Sequence, residues 1–195
     1  MKKGVKPDLP VKLFRNQSAW DNWLETHGTS SPGLWLRIAK KAAALESMSF
    51  AEALETALCH GWIDGQRRAH DEDSYLQRFT PRGPRSIWSK INRTKVLELI
   101  DDGRMRPGGL EAIERAKQNG RWDAAYDSHR TAEVPDDFLS ALDRNPAAKA
   151  FFATLNSQNR YAVIFRLQTA IRDDTRARRI ERFIEMFARN EKLHP

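Results

Sequence analysis

The part of this sequence best equipped for chemistry runs from Cys59 to Arg93. Cys59 stands beside His60, and Asp64 follows between Ile63 and Gly65. From Arg78 to Lys95 there are six basic residues and no Asp or Glu, with Phe79 and Trp88 among the charges. Arginine forks next to the free amides of a helix start make a sound anion site. The binding set read from this pattern is Asp64, Arg67, Arg78, Thr80, Arg82, Ser89, Asn92 and Arg93. In it the arginines hold the anion, Thr80, Ser89 and Asn92 orient it, and Asp64 fixes an arginine. The enzymatic alternative uses the same pocket with Asp64 as acid or base. A third reading is a nucleic-acid backbone, with Phe79 or Trp88 stacked on a base.

Other chemistries fit less well. Cys59 falls at a helix C-terminus, where the partial negative charge disfavours a thiolate. Neighbouring helical residues point about 100° apart, so His60 is badly placed to deprotonate it. Cys59, His60, Asp64 and His70 follow no familiar metal-ligand spacing, and His27 shares an apolar helix face with Trp20, Trp23 and Leu24. Glycine-rich phosphate loops, nucleophile elbows and zinc-protease motifs are missing from the sequence. Neither a metal nor a cofactor is expected.

The elements that must position these residues follow from hydrophobic period and caps. Pro10–Phe14 alternates as a short strand. Ser18 and Asp21 open a helix that Gly28 would close in the left-handed conformation. Leu34–Lys40 is a strand, and Ser49 with Glu52 forms a capping box for a helix ending at Gly61. Trp62–Arg68 and Ser74–Thr80 read as paired strands about the acidic turn at Asp71–Asp73. Trp62, Trp88 and Trp122 read as core anchors. After Pro81 the pattern is helical. Ser86 or Ser89 starts a helix that stops at Gly103, and Pro107 starts one with a Leu110, Ile113, Ala116 stripe that stops at Gly120. Four more helices follow, the last with an inward stripe of Ile180, Phe183, Ile184 and Phe187. The fold class is α+β: an N-terminal β-α-β-α-β-β layer, then a mainly helical C-terminal half. The expected domains are 1–127 and 134–195, divided near the polar segment Ser128–Glu133.

The 195 residues carry a net charge of +7 and one cysteine. A lone cysteine asks for no oxidising compartment. No apolar run approaches the roughly 20 residues of a membrane span, and the basic start Met1–Asp8 lacks the apolar stretch of a secretory signal. The cytoplasm is the expected location. A small anionic ligand is the expected partner, with nucleic acid next and a protein bound by the C-terminal helices as a further possibility.

Several motifs have a familiar look. Cys-x-Gly-Trp-Ile-Asp-Gly at Cys59–Gly65, Tyr75–Arg82, and Ser-x-Trp-Ser-x-x-Asn at Ser86–Asn92 come in order. They are followed by Gly103-Arg104-Met105-x-Pro107, Ala116-Lys117 with Gly120-Arg121-Trp122, and Thr175-Arg176-x-Arg178-Arg179-Ile180. Together they resemble the YdeI/OmpD-associated family, also called bacteriocin-protection proteins, over nearly the whole chain. The resemblance implies an α+β N-terminal region with a helical C-terminal one, and the expected role is in stress or bacteriocin protection.

Overall fold

The computed structural model describes residues 9–195, so the basic start at Met1–Asp8 lies outside the described residues. The chain forms two compact units. One holds the described residues up to Ser86 together with Lys95–Arg115; the other holds Ile87–Thr94 and Ala116–Pro195.

In the first unit, β1 (Val11–Lys12), α1 (Gln17–His27), β2 (Leu34–Ala39), α2 (Phe50–Cys59), β3 (Trp62–Ala69) and β4 (Ser74–Pro81) follow one another in the expected β-α-β-α-β-β order. Spatially the strands run β1-β2-β4-β3, with β1 parallel to β2 and the rest antiparallel. Residues paired across strands share a face. The pairs Leu34–Phe79, Leu36–Gln77 and Ile38–Tyr75 therefore define one face. Trp20 and Leu24 of α1 and Ala53 and Ala57 of α2 pack there against Leu34, Leu36, Ile38, Phe79 and Trp62. Trp35–Arg78 and Arg37–Leu76 define the opposite face.

Several local readings change. The first strand is two residues long rather than five. The cap of α1 is Asn16, whose side chain accepts from the Ala19 amide, and not Ser18. This frees Asp21 for another task. Gly28 closes α1 in the right-handed conformation, with φ −61°. His27 is exposed and stacks on Trp23. The Ser49–Glu52 capping box is present in full.

The stretch after β4 includes α3 (Lys90–Asp101) and α4 (Pro107–Gln118). Ser89 caps α3 by accepting from the Asn92 amide, and Gly103 follows it with φ +66°. In α4, Ile113 and Ala116 are buried but Leu110 is exposed. The start of α4 lies directly against the end of α2. Gly61 has φ +74°, and a Cβ on it would meet the Gly108 carbonyl oxygen at 2.3 Å; one on Gly109 would meet the Cys59 oxygen at 2.2 Å. Glycine is needed on both sides of so close a backbone approach. The negative end of α2 thereby faces the positive end of α4, which suits both dipoles.

The second unit contains Trp88 against Trp122, edge to face at 5.2 Å, and the helices α5 (Asp136–Asp143), α6 (Pro146–Thr154), α7 (Ser157–Gln168) and α8 (Asp173–Ala188). Phe138, Leu142, Phe152, Val163, Leu167, Phe183 and Phe187 make its core, with Ile180 and Ile184 packed on it. The expected stripe of α8 therefore faces inward. Arg176 ties three helices together: it grips Asp137 of α5 through two bonds of 2.6 and 2.8 Å, and donates to the Leu167 carbonyl of α7. The architecture is α+β. None of the described helices is long and apolar enough to cross a membrane.

Candidate anion-binding groove

The site begins with an irregularity in β3. Asp64 pairs with Phe79, but three residues later Arg67 pairs with Gln77, only two residues from Phe79. The extra residue is a β-bulge, and past it the alternation of faces is inverted. Arg67 therefore falls on the helix-bearing face and Arg68 on the other. Gln77, 4% exposed, fastens the bulge by donating its amide to the Gly65 carbonyl at 2.8 Å, with a longer bond to that of Gln66.

Both arginines are stacked on aromatic rings. The Arg67 guanidinium lies 3.6 Å from the Tyr75 ring centre, and that of Arg68 lies 4.1 Å from the Trp35 centre. A stacked guanidinium keeps its N–H edge available for a carboxylate or phosphate while its rotamer is already fixed. Between the strand ends and the start of α2 lies a groove of about 830 Å³. Ile38, Ala39, Phe50 and Tyr75 supply its apolar floor; Lys40, Lys41 and Arg67 supply its rim, and Arg68 borders it while its guanidinium lies over Trp35 on the other face. Lys40 is anchored by the acidic turn, donating to the carbonyls of Asp71 at 2.8 Å and Glu72 at 3.0 Å.

Two nearby acids, Glu52 and Asp71, are engaged elsewhere. Glu52 accepts from the Ser49 amide at 2.8 Å, and that bond and the cap geometry hold its carboxyl below the usual range. Asp71 accepts from Ser74 and pairs with Arg37 at 2.8 Å. Among the described residues, no Asp or Glu lines the groove. Three cations, Lys40, Lys41 and Arg67, over an apolar floor can hold an anion that carries an apolar body.

Of the eight residues expected to bind together, Arg67 alone lines this groove. Asp64 shares the helix-bearing face with Trp62 and Phe79. Burial pushes its carboxyl up, with its own amide and the charge of Arg82 pulling it back in part. The charge that acts on it is that of Arg82. Arg78 and Thr80 do share a face, but it is the opposite one, and the Arg78 stem lies across Gly65. Asp64 and Arg67 thus lie on the face opposite to Arg78 and Thr80, and of the four Arg67 alone reaches the strand-end groove.

Arg82 is 5% exposed, too buried to greet a ligand; it donates to Ser86 and its carbonyl accepts from Arg115. Ser89, Asn92 and Arg93 belong to the second unit. There Ser89 caps α3, and Arg93 donates to the Trp122 carbonyl at 2.7 Å while lying over its ring. Lys40, Lys41, Arg68 and Tyr75 escaped the sequence reading. The signal for them was the pair of basic doublets, Lys40-Lys41 and Arg67-Arg68, at the ends of two strands.

Residues 12–112 match the family model described as Domain of unknown function (DUF8412), just over half of the chain. The chain belongs to that family. All residues of the groove lie within the DUF8412 segment. Residues 131–190 match a second family model, described as Bacteriocin-protection, YdeI or OmpD-Associated. The resemblance seen in the motifs therefore holds for the C-terminal helices rather than for nearly the whole chain. Cys59–Gly65 and Tyr75–Arg82, which carried much of it, fall in the DUF8412 segment instead. No curated protein and no solved structure matches the chain.

Proposed function

We propose that this DUF8412 protein is an anion-binding module whose groove takes a phosphate- or carboxylate-bearing ligand with an apolar body. The observation that carries this reading is the cationic rim, with Arg67 already stacked on Tyr75, over an apolar floor that shows no acid among the described residues. Among the described residues the lining offers hydroxyls on Ser49 and Tyr75 but no carboxylate, imidazole or thiol, so it is better equipped to bind than to turn over a substrate. The match of residues 131–190 supports a bacteriocin-protection-related role for the binding. A single, buried cysteine suits work in the reducing cytoplasm.

The test is thermal unfolding of wild type and Arg67→Ala against inorganic phosphate, nucleotides, medium-chain fatty carboxylates and short oligonucleotides. A ligand at 100 times its Kd adds about 2.7 kcal/mol, a readily visible rise in Tm. The expected outcome is a shift with an apolar-bodied anion that Arg67→Ala removes. A response confined to oligonucleotides and falling steeply with salt would favour the nucleic-acid reading instead. No response from any anion would end the proposal.

A further inference from the structure

The loop after α3 builds a second concavity in the first unit, sharing no lining residue with the groove. It measures about 480 Å³, and its walls are mostly polar. Gln17 and Asp21, one turn apart on α1, face Thr56 and Cys59 of α2, and Gly103, Arg104 and Arg106 close the third side. The glycine contact between α2 and α4 fixes that third side, because the Arg106 amide also donates to the Cys59 carbonyl at 3.1 Å.

Each arginine of this pocket is held by an acid. Arg106 Nη2 donates to Asp21 Oδ2 at 3.1 Å, and the other Asp21 oxygen contacts His60 Nε2 at 2.7 Å. The His60 side chain is only 8% exposed and backs the carboxylate from behind. Arg104 Nη1 donates to Glu55 Oε2 at 3.2 Å, while Lys95 holds the other Glu55 oxygen at 2.8 Å. Gln17 donates to the Thr56 hydroxyl at 2.9 Å. Both acids are thus committed to two cationic or imidazole partners. Each arginine commits one terminal nitrogen and stays open to solvent, at 41% exposure for Arg104 and 46% for Arg106. Among the described residues, the charged side chains of the lining are two arginines and one aspartate, a local excess of one positive charge.

We propose that this pocket is a second binding site, specific for a compact oxyanion, carboxylate or phosphate, received between Arg104 and Arg106. Guanidinium groups held in place by acids behind them lose little freedom when they accept such an ion. The polar walls exclude the apolar-bodied ligands that suit the groove. Asp21 and Glu55 are positioning residues.

The experiment is isothermal titration of the full chain with inorganic phosphate and, separately, with malonate. It is done on wild type, Arg104→Gln, Arg106→Gln and the groove variant Arg67→Ala, after each variant's cooperative unfolding has been recorded. Saturable binding of one equivalent is expected, weakened at least about tenfold, or 1.4 kcal/mol, in folded Arg104→Gln and Arg106→Gln. Arg67→Ala should leave it unchanged, which separates this site from the groove. If Arg106→Gln fails to fold, Arg104→Gln alone decides. Tighter phosphate than malonate assigns a phosphoryl ligand, and the reverse a carboxylate. Absence of saturable binding by both ions, or binding indifferent to the folded arginine variants, overturns the proposal.

Discussion

At the scale of single residues, Asp21 shows how a side chain acquires a task that its position in a helix does not announce. Burial raises its carboxyl, but hydrogen bonds from His60 and Arg106, with their charges, outweigh that and hold it below the ordinary range. A depressed carboxylate stabilises the fold fully above the unfolded value of about 3.9, and the contribution fades as pH falls through the lower folded value. Asp21→Asn should therefore lower Tm near pH 6 and shrink the difference from wild type as pH drops below about 4. Unfolding both proteins at several pH values checks this; a constant difference would remove the ionic account. Cys59 lies beside it with its thiol pushed up by burial, so it stays protonated at neutral pH and adds no charge to the pocket.

At the scale of elements, the bulge in β3 decides what the sheet can bind. Regular alternation would put Arg67 on the face of Trp35 and Arg68 on the face of Tyr75; the extra residue exchanges them. Each then stacks on the ring that its new face supplies. Gln77 is the fastening, so Gln77→Ala should cost about 1 kcal/mol for the lost hydrogen bond. It should also reduce the ligand-induced Tm shift of the groove by loosening both arginines. Full stability loss with an unchanged ligand shift would show that the bulge keeps its register without Gln77. The bulge leaves no mark in the amino-acid pattern, since Gly65-Gln66 reads equally well as ordinary strand.

At the scale of the whole molecule, the described residues form one hydrophobic cluster between the sheet and α1–α2 and another among α5–α8. Phe187 is fully buried among Phe138, Phe152 and Phe183. Phe187→Ala should cost the second unit about 3–5 kcal/mol. Native-state hydrogen exchange should then speed across α5–α8 while β2 and β4 keep their protection. Equal loss of protection in both would mean that the two clusters unfold as one cooperative body. The family matches divide along similar lines, with the groove and the oxyanion pocket inside residues 12–112 and the bacteriocin-protection match confined to residues 131–190.

The sequence by itself determined the α+β class, the order of the elements, the Ser49–Glu52 cap, the tryptophan anchors and the inward stripe of α8. These depend on short-range rules, namely hydrophobic period, caps and turn residues, and such rules are written within a few neighbouring positions. It also placed the basic residues on the right strands. Tertiary structure alone decided which of them face the same way. Arg78 and Thr80 were separated from Arg67 because strand register and one bulge assign faces, and both are fixed by pairing between distant segments. Lys40 and Arg68 joined the groove for the same reason. Arg106 reached Asp21 across 85 residues because three glycines let two helix ends touch. Contacts of that separation are set by packing, and no local pattern in the chain encodes them.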